Sequence, residues 1–240
     1  MKDRFIRELR IDWNTVEPDS YLRAIPSLNK LECLSLDYPV TLFAGENGTG
    51  KSTLLEGIAA AYGFNPEGGT INYAFSTRET HSDLFRSIRL IKSARKATGG
   101  YFLRAESFYN VATMEEEYAK GPGGVEHHYH EKSHGESFLA LAQDYFHENG
   151  IYLMDEPEAA LSPQRQLSLL IHIAKLAEAG AQFVIATHSP ILLGIPDAHI
   201  YSFEADGVSD SAYEDTDSYR ITKLFVENRE RMLEKLLEED

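Results

Sequence analysis

Apolar positions along this chain alternate between short continuous runs and longer stripes at helical spacing. Val40-Thr41-Leu42-Phe43-Ala44, Ile151 to Met154 and Phe183 to Ala186 are brief, β-rich and almost unbroken by polar residues. Such runs predict strands buried on both faces. Between them, Leu54, Leu55, Ile58, Ala59 and Tyr62 predict a helix over Thr53 to Tyr62, stopped by Gly63. Further helices are predicted from Ser133 to Phe146 and from Pro163 to Ala179. Ser162 stands at the second helix's N-cap, Pro163 at its first position and Gly180 at its close. Strands alternating with helices mean an α/β fold with a mostly parallel, covered sheet. From Asp217 a charged helix follows, with Ile221, Leu224, Phe225, Met232 and Leu236 on its apolar side.

Weaker patterns fill the rest. Phe5 to Asp12 alternates and reads as an antiparallel edge strand. Asn14 to Lys30, with Pro18 and Pro26, reads as loop with a short turn, and Asn65 to Gly69 as turn before a strand over Ile71 to Phe75. Ser87 to Ser93 and Gly100 to Glu106 flank a turn at Ala97 to Gly100 and suggest a hairpin. Ser107 to Ala119 reads as helix and Lys120 to Lys132 as a glycine- and histidine-rich loop. A last strand, Ile200 to Glu204, turns at Asp206-Gly207.

Bulk composition narrows the class. A chain of 240 residues, 42% hydrophobic, suits a single domain with a sizeable core. A net charge of -15 argues against coating nucleic acid with the whole surface but leaves room for a local basic patch. Cys33 is the lone cysteine, which rules out an internal disulfide and fits a reducing compartment. Met1-Lys2-Asp3-Arg4-Phe5 leads into no apolar signal segment, and no run approaches the length of a membrane span. The expected location is cytoplasmic, with any membrane association through a partner.

The chemistry centres on Gly45-Glu46-Asn47-Gly48-Thr49-Gly50-Lys51-Ser52, between a predicted strand and a predicted helix. That context fits a phosphate-cradling P-loop. Its free N–H groups and the helix dipole converge on one point, and the glycines let the backbone wrap an anion. Lys51 offers a point charge to the β- and γ-phosphates, the Ser52 hydroxyl a ligand to Mg²⁺, and Thr53 continues the site into the helix. Glu46, Asn47, Gly48, Thr49 and Gly50 complete the cradle. The chain is therefore expected to bind a nucleoside triphosphate.

Two strand ends add to it. After Ile151 to Met154 come Asp155, placed for the Mg²⁺ shell, and Glu156, placed to orient the attacking water. After Phe183 to Ala186 comes Thr187-His188-Ser189-Pro190, and ligands in open α/β sheets sit outside such carboxyl ends. His188 should meet the γ-phosphate or the water. Glu158 is read as a cap of the turn after the first of these strands and is otherwise unassigned. Lys132-Ser133-His134-Gly135-Glu136 opens a helix, as an anion site lent to a neighbouring chain or as ordinary capping.

In order, G-E-N-G-T-G-K-S, S-H-G-E-S, L-M-D-E-P-E-A-A-L-S and A-T-H-S resemble the motifs of the ATP-binding cassette ATPases. These are that family's Walker A, signature, Walker B with D-loop, and switch-histidine motifs, and here they run from Thr41 to Pro190. The wording is most similar to small stand-alone bacterial ATPases related to the SMC branch. The resemblance implies a P-loop NTPase fold with an antiparallel β edge and a small inserted helical or hairpin lobe. It implies one domain over 1–240, with a nucleotide-binding core over about 1–75 and 133–216, a lobe over 76–132 and a C-terminal helix over 217–240. It further implies Mg²⁺-dependent ATP hydrolysis in a head-to-tail homodimer that drives change in a partner. Ser133, Gly135 and Glu136 would then face the partner copy's γ-phosphate, and Ala160 to Ser162 would couple the copies.

Three departures bear on this. His134 stands where the family has a glycine. No glutamine lies between Lys51 and Gln143, so the family's Q-loop residue is missing, with Glu106 or Asn110 as stand-ins and Glu106 as a further metal ligand. Fewer than a hundred residues separate the first two motifs, which leaves no room for a long coiled coil. A transporter's nucleotide-binding subunit and the ATPase of a DNA-repair or phage-defence system are the alternative settings. Arg86, Arg89, Lys92, Arg95 and Lys96 form a basic cluster that would meet DNA phosphates or stay a solvated face. His127, His128, His130 and His134 resemble a metal cluster, yet no cysteine or suitably spaced acid accompanies them, and no zinc is expected.

Overall fold

The computed structural model describes residues 3–71, 82–104 and 134–238. Its strands, in chain order, are β1 (Ile6–Ile11), β2 (Cys33–Ser35), β3 (Val40–Ala44), β4 (Gly69–Thr70), β5 (Ile88–Lys92), β6 (Gly99–Arg104), β7 (Gly150–Asp155), β8 (Gln182–Ala186), β9 (His199–Glu204) and β10 (Gly207–Ser211). The helices are α1 (Lys51–Tyr62), α2 (His134–Tyr145), α3 (Pro163–Ala179), α4 (Asp217–Glu227) and α5 (Arg229–Glu238).

The three apolar runs become the centre of a seven-stranded sheet ordered β10-β9-β3-β8-β7-β6-β4. Its five inner strands run parallel, and β10 and β4 close the edges antiparallel. Continuous apolar sequence follows from burial on both faces. Along β3, Leu42 joins the core beneath α2 and α3, while Phe43 joins the opposite core with α1. β7 and β8 split in the same way, Tyr152 and Phe183 to one side, Leu153 and Val184 to the other. α3 buries Gln166, Leu169, Ile173 and Ala177 along one stripe, and Gly180 closes it at φ 117°.

A second sheet, β2-β1-β5, covers α1 from outside. It corrects two expectations. β1 is antiparallel but lies in the middle, paired to β2 through Leu9 and Leu34 and to β5 through Leu9 and Leu90. The hairpin of β5 with β6 does not form. β5 joins β1, whereas β6 runs parallel to β7. The apolar side chains decide this, since Ile88 packs in the α1 core and Tyr101 under α2. β5 and β6 thus each belong to a sheet, one to the smaller sheet and one to the larger.

Gln182 stitches the sheets together. Its side-chain carbonyl accepts the N–H groups of Phe5 and Ile6 at 2.8 and 2.9 Å, and its amide donates to the carbonyls of Ile6 and Leu36, each at 2.7 Å.

Two further differences lie near the C-terminus. β10 pairs with β9 around the Asp206-Gly207 turn, a strand too polar to show in the pattern. The charged tail is two helices broken at Asn228, which leaves helical geometry at φ -134°. Its apolar residues Ile221 and Leu224 stay exposed. The expected helix Ser107 to Ala119, loop Lys120 to Lys132 and strand Ile71 to Phe75 lie wholly or mostly outside the described residues. So do Glu106, Asn110, Ser133, His127, His128, His130 and the side chain of His134. Among the described residues no helix is long and apolar enough to cross a membrane.

Candidate active site

β3 ends at Ala44, and the chain turns through Gly45 (φ 138°) and Gly50 (φ 96°) into α1. Both conformations belong to glycine. A Cβ on Gly45 would lie 2.4 Å from the Phe203 carbonyl oxygen, and one on Gly50 would press on Ile25 and Leu28. Ser27, from the same buttressing segment, donates its hydroxyl to the Thr49 carbonyl. The loop is thus shaped by its backing as well as by its own sequence.

Lys51 opens α1 with its ammonium donating to the Gly45 and Glu46 carbonyls, both at 2.7 Å. Burial lowers its pKa, while Glu156, Asp155, Glu158 and Glu46 pull the other way. A cation surrounded by acids and folded on its own loop is poised for phosphate oxygens. Gly45 to Thr49, His188, Phe203, Glu204 and the start of α4 line a cleft of about 770 Å³. Thr53 is half-buried on the first turn of α1.

Across this loop stands the end of β7. The Ser52 hydroxyl donates to Asp155 Oδ1 at 2.8 Å, while Arg104 Nε lies 3.6 Å from Asp155 Oδ2. Two hard oxygen donors side by side fit Mg²⁺, which takes few protein ligands and completes its shell with phosphate and water.

Glu156 follows at φ 48°, a left-handed position that costs a non-glycine residue about 1–3 kcal/mol. Its N–H donates to the Ala186 carbonyl at 2.9 Å, extending the β7–β8 ladder by one residue. The turn out of the strand sends its carboxylate toward His188, whose Nε2 lies 3.3 Å from Glu156 Oε1. Asp155, Glu156 and His188 therefore meet beside Lys51 and Ser52, at the carboxyl ends of three neighbouring strands.

Gly135 and Glu136 do not join them. A Cβ on Gly135 would lie 2.8 Å from the Ala160 carbonyl oxygen, and Glu136 Oε1 lies 3.0 Å from Arg165 Nη2. The basic cluster is largely occupied by the fold. Arg95 donates to Asn149 Oδ1 and to the Gly180 carbonyl and lies over the Phe5 ring. Lys92 lies over Tyr62, and Arg86 Nε lies 3.4 Å from Asp83 Oδ1.

Two family models match the chain: one described as "AAA domain" over residues 21–120, and one described as "AAA domain, putative AbiEii toxin, Type IV TA system" over residues 125–194. No curated protein matches. Among solved structures, CbiO1 from Clostridium perfringens, described as part of the ABC transporter complex cbiONQ, is similar at 15% identity and TM-score 0.54, covering 99% of this chain and all of that one. This chain is a P-loop ATPase of ABC-type fold. Weaker similarities reach the SMC head domain from Thermotoga maritima (13% identity, TM-score 0.46, 88% and 98% of the two chains). A nucleotide-free cassette of an ABC transporter is also similar (18% identity, TM-score 0.47, 88% and 91%).

The ATPase holds site residues that its motifs do not announce. Arg104, Gln166 and Ser27 contact the motif residues or their loops, and Glu158 binds the His188 loop. Arg104, Gln166 and Ser27 have no sequence signal of their own, because each acts on backbone or on a partner far along the chain, while Glu158 lies inside the L-M-D-E-P-E-A-A-L-S motif.

Proposed function

We propose that this ATPase hydrolyses ATP with Mg²⁺ in a head-to-tail homodimer, and that the cycle drives a conformational change in a partner. The observation that carries the chemistry is the pair of contacts at the strand ends, Ser52 with Asp155 at 2.8 Å and Glu156 with His188 at 3.3 Å. Ser52 and Asp155 would hold Mg²⁺, which when bound neutralises phosphate charge. Lys51 and the loop N–H groups orient the phosphates. Glu156 takes the proton of the water that attacks the γ-phosphorus, as the bond to the β–γ bridging oxygen breaks. His188 holds that carboxylate in place from the next strand.

The dimer reading is supported by the start of α2, where Gly135 lies against the Ala160 carbonyl and Glu136 against Arg165. With Ser133 they would meet the neighbour's γ-phosphate. The single cysteine supports a reducing, cytoplasmic setting.

A defence-system ATPase is the second reading, favoured by the toxin–antitoxin description of the family model over residues 125–194. In that case the partner is a toxin or nuclease component. The missing glutamine between Lys51 and Gln143 counts against a transporter subunit.

Light scattering on Glu156→Gln tests the proposal. The variant should bind ATP, turn over roughly two to four decades more slowly and be a dimer in ATP and Mg²⁺ but a monomer without them. Adding Ser133→Arg should abolish the dimer and spare ATP binding. Loss of binding in that monomer would mean that the segment acts within its own chain. Normal turnover by Glu156→Gln would place the base elsewhere.

A further inference from the structure

We propose that Glu158 is a positioning residue for hydrolysis, holding the His188 loop so that the imidazole meets Glu156. The inference rests on the ATPase site described above and assigns a role to a carboxylate that the motifs leave idle.

Glu158 sits on the short 3-10 turn Pro157–Ala160, which follows Glu156 directly. A carboxylate that merely caps such a turn bonds to N–H groups of that turn. Glu158 Oε1 instead accepts from the His188 N–H at 2.5 Å and the Ser189 N–H at 3.1 Å, some 30 residues away along the chain. These two groups have left the sheet. The Thr187 N–H makes the last backbone bond there, to the Phe43 carbonyl. Beyond it, the chain direction is set by side chains. Charge-assisted bonds to two successive N–H groups on one oxygen are stronger than neutral ones.

A second fastening runs from the same turn. The Ser189 hydroxyl donates to Gln166 Oε1 at 2.5 Å, and the Gln166 amide donates to the Leu161 carbonyl at 3.0 Å. The backbone of His188 is therefore tied to the segment that carries Glu156. The 3.3 Å separation between His188 Nε2 and Glu156 Oε1 follows from that tie. Without Glu158 the loop keeps its Gln166 contact at Ser189 but loses the anchor at His188 itself. The imidazole then samples positions away from the carboxylate.

The test is steady-state ATP hydrolysis by the full chain, with ATP affinity and melting temperature measured alongside. Glu158→Ala should lower kcat about ten- to a hundredfold, the scale of a misplaced catalytic group. KM and ATP affinity should stay within about twofold, since His188 and not the phosphate cradle has moved. Glu158→Gln keeps a side-chain carbonyl acceptor and should lose no more than about threefold. Glu158→Asp keeps the charge but is one methylene short, and should behave like Glu158→Ala. In a His188→Ala background, Glu158→Ala should cost nothing more, a non-additivity expected only when one residue acts through the other. Full kcat in both Glu158→Ala and Glu158→Asp, or an equal further loss in the His188→Ala background, would overturn the proposal. Should Glu158→Ala not fold, Glu158→Asp and Glu158→Gln decide by the same criteria. A wild-type chain that fails to hydrolyse ATP would instead overturn the functional reading itself.

Discussion

The Ser52 hydroxyl donates to Asp155 Oδ1 at 2.8 Å across a sequence separation of 103 residues. On the proposed function, these two oxygens, from the P-loop helix and a neighbouring strand, would hold Mg²⁺. Ser52→Ala removes one of them. The Mg²⁺ concentration giving half-maximal ATPase activity should rise by about tenfold or more, while binding of ATP in EDTA stays unchanged. A Mg²⁺ titration of the variant checks this, and an unshifted curve would move the metal elsewhere.

Lys51 is buried and donates to two loop carbonyls, those of Gly45 and Glu46. Lys51→Ala should abolish ATP binding detectable by titration calorimetry. It also leaves the Gly45 and Glu46 carbonyls without their donor, so unfolding free energy should fall by about 1–3 kcal/mol. Unchanged affinity in a folded variant would mean that the phosphates lie outside this loop.

Gln182 is fully buried with four bonds to the backbone of Phe5, Ile6 and Leu36, in and beside the N-terminal strands. Gln182→Leu keeps the volume but strands those groups. Urea unfolding should show a loss of at least about 3 kcal/mol, with the loss concentrated in the attachment of β1. Stability equal to wild type would show that the small sheet is held by its apolar face alone.

Burial pushes the Tyr152 phenol up to about 12 from its ordinary 10, despite the bond with the His147 backbone. A raised pKa means that the neutral form is favoured by folding. The corresponding stability is complete below pH 10 and is lost as pH rises toward 12. On the scale of 1.36 kcal/mol per unit, the loss is about 3 kcal/mol. Tyr152→Phe should flatten that alkaline fall in chemical-denaturation curves taken between pH 9 and 12. It should not abolish it, because burial also raises Tyr62, Tyr201 and Tyr213. An unaltered slope would assign the alkaline loss to those three.

Much of this was legible in the chain. β3, β7, β8 and α3 lie where the apolar runs put them, because a strand buried on both faces must be apolar throughout. The strand–loop–helix context placed Lys51 and Ser52, and strand ends placed Asp155, Glu156 and His188. Pairing was not legible. Ile88 to Lys92 and Gly99 to Arg104 have strand composition and a turn between them, yet only long-range packing chooses their partners. The basic cluster misled for a related reason. Charge is visible in sequence, whereas the Asn149 and Gly180 acceptors of Arg95 are distant. Glu158 reads as a turn cap until the His188 N–H is seen opposite.

The order β3-β8-β7 has a mechanical consequence. Neighbouring strands are held about 4.8 Å apart by their ladders, so the phosphate loop and the Asp155 end are kept at a set distance by the strand between them. Hydrolysis cannot draw those two ends together or apart without tearing the ladders that join them. The sheet is the anvil of this machine and not its moving part. Under the proposed cycle, any stroke would leave through the unladdered margin, where the Pro157–Ala160 turn meets the His188 loop and the first turn of α2.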